Sequence, residues 1–234
     1  MEDMKFVEAA ESGEWEAGMI TLYGFGRIFS EGIGETKDLR IEWALQETGL
    51  PYRVHALDHT AGELDSPAYG KISPFHQAPV IDDDGFIVAE SGAAVLYIAE
   101  KAGKLIPSDF PGRMRVTQWC FAALNTVETP LALIALGDIA GMTDEGRALW
   151  VKLAHRFFGG LECRLDGREW IACAEFTVAD LLLASVLRDI RKTDLMAPYP
   201  RLKEFYARAL ARPAWERTLA LYAERLGVPV ADIR

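Results

Sequence analysis

Cysteine is scarce in this chain, and its placement excludes one whole class of chemistry. The three cysteines, Cys120, Cys163 and Cys173, all lie in the second half of 234 residues. A set that small and odd makes no disulfide framework, which points to a reducing, cytoplasmic setting. With none before Cys120, the first half holds no Cys-x-x-Cys and cannot run dithiol redox chemistry of its own. Positive charge is also short, with 25 Lys and Arg against 35 Asp and Glu and a net charge of −10. Without a basic face to meet phosphates, no nucleic-acid partner is expected. No apolar run approaches the ~18 residues of a spanning helix, and the basic start and apolar core of a signal peptide are missing, so no membrane is expected.

Other signatures fail for want of one part. His55 and His59 are four apart, but they fall in a predicted strand and loop, not on one helical face. Asp82-Asp83-Asp84-Gly85 lacks the ligand series and closing Glu of a calcium loop. No metal is expected. Gly24-Phe25-Gly26 and Gly32-Ile33-Gly34 lack the third glycine of a dinucleotide fingerprint, and no Gly-Lys-Ser/Thr occurs.

What is present is globular: half the residues are hydrophobic and 26% are charged. Residues 1–17 form an acidic extension with six carboxylates against Lys5 alone, most simply a solvated tail. From Met19 the pattern predicts a strand to Tyr23 and a glycine-punctuated loop. A helix through Ile41, Ala44, Leu45 and Thr48 follows, ended by Gly49 and Pro51, then a strand Tyr52–Leu57. A turn-rich stretch Pro67–Pro74, a hairpin around Asp82–Gly85 and a helix from Ser91 to about Lys101 complete residues 18–104. The order β, α, β, turn or short α, β, β, α implies a mixed sheet with helices packed on it. Residues 105–112, with Pro107, Pro111 and Gly112, read as a linker. Residues 113–234 then carry only helical stripes, predicting an all-helical domain.

Two segments carry chemical information. In Gln77-Ala78-Pro79-Val80, a proline directly before a buried strand cannot donate to the ladder. It is either a trans proline that merely starts an edge strand, or a cis one that leaves the Ala78 amide and carbonyl open to an extended ligand. Glu90-Ser91 opens a predicted helix. By itself it reads first as an ordinary N-cap with an acidic neighbour, and alternatively as a clamp in which helix amides and a hydroxyl hold a carboxylate while Glu90 meets an amino group.

Taken with Leu39-Arg40-Ile41-Glu42-Trp43-Ala44-Leu45, Gly49-Leu50-Pro51-Tyr52 and Phe176-Thr177-Val178-Ala179-Asp180, these segments resemble the glutathione transferase superfamily from about Met19 to the C-terminus. The resemblance implies a thioredoxin-like glutathione-binding domain followed by a helical bundle, in a cytoplasmic, homodimeric detoxification enzyme. It also implies a cis Pro79, Ala78 pairing with the cysteinyl unit of glutathione, Glu90 and Ser91 on its γ-glutamyl end, and Gln77 on its glycyl carboxylate. Thr177 and Asp180 resemble the family's capping box, a folding element. The family usually places Tyr, Ser or Cys just after the first strand. Here the stretch Phe25–Asp38 looks longer than usual and has neither Tyr nor Cys. Counting back from Ile41 makes Thr36 the thiol-activating hydroxyl; counting forward from Tyr23 makes it Ser30. The expected substrate is a small, apolar electrophile held against the helix face of Met114, Thr117, Gln118 and Phe121. Glutathione-dependent disulfide reduction, thioether lysis and a non-catalytic adaptor role are the alternatives.

Overall fold

The computed structural model describes residues 18–137 and 141–233; the acidic extension of residues 1–17 lies outside them. Contacts divide the chain into two compact units. One comprises residues up to Ile98 together with Ala214–Arg234, and the other Ala99–Pro213.

The first unit is built on a four-stranded sheet, β1 Ile20–Arg27, β2 Tyr52–Asp58, β3 Val80–Asp83 and β4 Phe86–Ala89, in the order β2-β1-β3-β4. β1 runs parallel to β2 and antiparallel to β3, and β3 is antiparallel to β4. The parallel pair needs a crossover, which helix α1, Asp38–Thr48, supplies. The antiparallel β3–β4 pair needs only a turn: Asp84 and Gly85 take φ of 51° and 87°, the two positive values a tight hairpin turn calls for. The single-turn α2, Pro67–Gly70, is capped by Ser66, whose side chain accepts the Tyr69 N–H. α3, Ser91–Ala102, follows β4. This is the mixed sheet that the element order implies, in the thioredoxin-like arrangement that the resemblance implies.

β1 is longer than its sequence pattern suggests. Gly24 and Gly26 read as loop residues, yet Gly24 and Phe25 stay paired with Ala56 and Leu57, and the strand runs to Arg27. The glycines serve close approach instead. A Cβ on Gly24 would stand 2.9 Å from Asp38 Oδ2, and one on Gly26 2.5 Å from the Ala56 Cβ. The loop before α1 is therefore confined to residues 28–37, with a short 3-10 turn at Ser30–Gly32. Tyr23 and Phe25 point from one face of β1 into a core with Leu57, Leu64, Tyr69 and Val80.

In the second unit, α4 (Phe110–Phe121) passes through a π-helical stretch, Ala122–Val127, into α5 (Glu128–Leu136). α4 begins inside the stretch assigned above to a linker, because the Asp109 side chain caps it by accepting the Gly112 N–H. By length and composition alone this continuous 27-residue run is apolar enough to cross a membrane, which corrects the expectation that no apolar run approaches that length. Its buried residues Val116, Cys120, Ala123, Val127, Leu131 and Ile134 recur at helical spacing, as a core-facing stripe does. α6 (Asp144–Arg164), α7 (Val178–Leu187) and α8 (Pro200–Leu210) complete this unit, and α7 is buried along its whole length.

The last helix, α9 (Pro213–Leu226), departs from the expected single helical domain over 113–234, because Ala214–Arg234 groups with the sheet-bearing unit. Its buried stripe is Ala214, Trp215, Thr218, Leu219, Tyr222 and Ala223. The Trp215 ring lies 4.8 Å, centre to centre, from that of fully buried Trp43 on α1. Two large aromatic surfaces removed from water give this docking its apolar driving force.

The start of α7 yields a test. Both reciprocal bonds of the Thr177–Asp180 capping box are formed. Asp180 accepts the Ile171 N–H at 2.7 Å and both the N–H and the hydroxyl of Thr177 at 2.8 Å. Burial nevertheless pushes its pKa up to about 6. Asp180→Ala is expected to cost about 1–3 kcal/mol for each donor it orphans, read by urea unfolding. Because folding raises this pKa above an unfolded value near ~4, the folded state holds the extra proton through that window. The Asp180 contribution to stability therefore falls as pH rises from about 4 to about 6, and Asp180→Asn should flatten that slope.

Candidate functional site

Strand register decides which loops meet. Tyr23 of β1 faces Val80 of β3, and Val80 faces Ala89 of β4. Both pairings are antiparallel, so the end of β1, the start of β3 and the end of β4 come to the same end of the sheet. The 28–37 loop, Gln77-Ala78-Pro79 and Glu90-Ser91 all lie there.

The Ala78–Pro79 peptide is cis, which decides between the two alternatives left open by the sequence. The segment is held by two side chains that the sequence did not single out. Buried Ser73 donates its hydroxyl to the Gln77 carbonyl at 2.8 Å and accepts the Gln77 N–H at 3.0 Å. The Tyr69 hydroxyl donates to the same carbonyl at 3.0 Å, and burial raises its pKa, so it stays a neutral donor. The backbone of Gln77 is thus occupied, while its side chain stands exposed.

Glu90 is exposed and takes a φ of 70° before α3, and its carbonyl accepts the Ala94 N–H. Ser91 is the first helical residue, not the cap before it, and is buried. Buried Arg40 of α1 reaches it, with Nη1 3.5 Å from Ser91 Oγ, tying the start of α1 to the start of α3.

The two candidate hydroxyls have different surroundings. Ser30 is exposed at the head of the 3-10 turn, where the backbone and then the Ser30 side chain hold the Glu31 carboxyl below its usual range. Thr36 is half-buried, two residues before α1, with Oγ1 2.7 Å from the Tyr222 hydroxyl of α9. The same phenol oxygen accepts the Gly34 N–H at 3.3 Å. Gly34 has a φ of 80°, and a Cβ there would come within 3.1 Å of the buried Ile233. The loop is therefore shaped by the far end of the chain.

An ion cluster underlies this loop. Arg225 of α9 donates Nη1 to both carboxylate oxygens of Glu42 at 3.1 and 3.0 Å, Nη2 to Asp38 Oδ2 at 3.2 Å, and Nε to the Phe25 carbonyl at 2.9 Å. Asp38 Oδ2 also accepts the Phe25 N–H at 3.0 Å, while its buried Oδ1 meets no hydrogen-bond partner among the described residues. Burial raises the Glu42 pKa, opposed by Arg225. The Tyr52 hydroxyl, pushed up to about 12 mainly by burial, donates to Glu42 Oε1.

The remaining sequence candidates fall elsewhere. His55 pairs with Glu63 at 3.3 Å, and His59 packs edge-on against the rings of Phe25 and Phe29. Asp82 takes the Gly85 N–H within the hairpin turn, and Asp83 bonds the Tyr97 hydroxyl. On α4, Met114, Gln118 and Phe121 are exposed, while the Thr117 hydroxyl turns back to the Arg113 carbonyl.

With this geometry in place, two sequence profiles match: the N-terminal domain of glutathione S-transferases over residues 30–100 and the C-terminal domain over residues 141–217. Glutathione S-transferase D7 of Anopheles gambiae is 30% identical over 164 residues, which is 66% of this chain and 72% of that protein. The chain belongs to the glutathione S-transferase family. The disulfide-bond oxidoreductase YfcG of Escherichia coli is 26% identical over 190 residues, covering 77% of this chain and 88% of that one. A crystal structure of a Burkholderia graminis glutathione transferase, with two glutathione molecules bound per subunit, superposes with a TM-score of 0.77. It is 25% identical and covers 92% of this chain and 93% of that one.

Within this transferase fold, the residues missed from sequence are Ser73, Tyr69, Asp38, Tyr222 and Arg225. Ser73 sits four positions before Gln77, so a side-chain-to-backbone turn was the one available local signal. Tyr222 and Arg225 read only as ordinary residues of an amphipathic helix.

The ion cluster predicts a large effect from one substitution. Arg225→Met leaves Asp38 and Glu42 buried together without their cation, which should cost about 3–5 kcal/mol in chemical denaturation. The deficit should shrink as pH falls, because burial already raises the Glu42 pKa and protonating that carboxyl removes uncompensated charge.

Proposed function

We propose that this transferase-family protein binds glutathione at the described end of the sheet and activates its thiol for attack on a small, apolar electrophile. The observation that carries the reading is the convergence, by register, of cis Pro79, Glu90-Ser91 and the Thr36 loop on that one end. The Ala78 backbone offers strand-like pairing to the cysteinyl unit. Glu90 suits the γ-glutamyl ammonium, Ser91 with the amides opening α3 suits its carboxylate, and the exposed Gln77 amide suits the glycyl carboxylate.

A thiol of pKa ~8.5 is mostly protonated at neutral pH, so it needs help to ionise. A Thr36 hydroxyl donating to sulfur, beside the positive end of α1, favours the thiolate, and the proton leaves to water. The thiolate then forms the carbon–sulfur bond at the electrophilic carbon, and the group displaced from that carbon, halide in an aryl halide, leaves with the bonding electron pair. Cys120 offers no rival nucleophile, since burial pushes its thiol up to about 12.

The likeness to a disulfide-bond oxidoreductase supports a second reading on the same site. Two glutathione thiols would be oxidised to one disulfide, while the substrate disulfide takes two electrons and two protons and leaves as two thiols. Turnover of a small dialkyl disulfide, with none of an aryl halide, would select that reading over conjugation.

Calorimetric titration with glutathione tests the shared premise. Saturable binding is expected, weakened about tenfold or more in Glu90→Gln, given roughly 1.5–3 kcal/mol for a hydrogen bond to a charged group. Absence of binding at millimolar ligand would sink the proposal. Thr36→Ala is expected to raise the pKa of the bound thiol, read by thiolate absorbance. A shift with Ser30→Ala in its place would move the role to Ser30.

A further inference from the structure

The bond between Thr36 and Tyr222 joins residues 186 positions apart, and its proton can sit in either of two ways. If Thr36 donates, its proton is spent on the phenol. If Tyr222 donates, the Thr36 proton is free to turn toward a ligand. Three features of the first unit favour the second arrangement. The Gly34 N–H already occupies an acceptor position on the phenol oxygen. The guanidinium of Arg225 lies over the Tyr222 ring, 5.2 Å from its centre, and its positive field favours release of the phenol proton, which strengthens the O–H as a donor. Burial pushes the Tyr222 pKa up to about 12, so the phenol keeps its proton at neutral pH.

We infer that Tyr222 is a positioning residue: it donates to Thr36 Oγ1, so that Thr36 presents its own proton to the sulfur of bound glutathione. A hydroxyl that accepts one hydrogen bond becomes a better donor of the next, so the pair acts as a short relay. The C-terminal helix thereby sets both the orientation and the donor strength of the thiol-activating hydroxyl. The inference rests on the reading in which Thr36, not Ser30, faces the sulfur.

The test is the thiol pKa of the glutathione complex, measured by thiolate absorbance on the full-length protein. Thr36→Val is expected to raise it by about one unit, a tenfold change in the ionisation constant. Thr36→Ser should restore the wild-type value. Tyr222→Phe should raise it by a smaller amount, with calorimetric glutathione affinity near that of wild type. The double variant should match Thr36→Val alone, because two members of one relay do not add. Thr218→Ala, buried on the same helix, should lower thermal stability without moving the thiol pKa, which separates the relay from a loss of packing. An unchanged pKa in Tyr222→Phe beside a raised one in Thr36→Val overturns the inference and leaves the Thr36 reading standing; so do fully additive shifts. An unchanged pKa in Thr36→Val overturns both.

Discussion

The sheet end depends on one largely enclosed cation, Arg225. Asp38 and Glu42 sit one turn apart on α1 and are almost wholly removed from water. Two like charges at that spacing repel, and each alone would resist burial. Arg225 makes the pair tolerable by meeting both, and its Nε donates to the Phe25 carbonyl. One guanidinium therefore fixes the end of β1, the start of α1 and the seat of α9. Arginine suits this task because its planar fork can serve several oxygens at once, which an ammonium on a flexible stem cannot do as rigidly.

The cluster shapes the loop above it by leaving little room. The Asp38 carboxylate takes the Phe25 amide and fills the space where a Gly24 side chain would stand. Farther along, Ile233 closes on Gly34 while Tyr222 bonds both the Gly34 amide and the Thr36 hydroxyl. Residues from the last helix and tail thus form the floor and one wall of a loop near the start of the chain. The hydroxyl of Thr36 is held by a phenol that is itself held under a guanidinium, a second layer of support behind the group proposed to touch sulfur.

Much of the fold was legible because its signals are local. The Asp82–Gly85 turn, the helix from Ser91 and the Thr177–Asp180 box are each written in a few adjacent residues, and all three form as their chemistry requires. The segments of the candidate site were legible for the same reason. Two misreadings share a different cause. Gly24 and Gly26 read locally as loop punctuation, yet their role is to let Asp38 and Ala56 approach, and the stripe of α9 reads as one more helix of the preceding set although α9 groups with the sheet. In both, the deciding partner is distant in sequence, and glycine or an apolar stripe does not name its partner.

By itself, the sequence determined the order of elements, the proline before β3, the acid–hydroxyl pair that opens α3, and the absence of any cysteine in the sheet-bearing half. Periodicity, turn residues and composition carry that information within a dozen positions. Only the tertiary structure decided that Pro79 is cis, that the three segments share one end of the sheet, and that Thr36 is bonded to Tyr222 while Ser30 stands in solvent. The contacts behind the last point span 183 to 200 positions. A bond of that span leaves no pattern in the local chain, because its geometry exists only after strand pairing and helix docking have brought the two ends together.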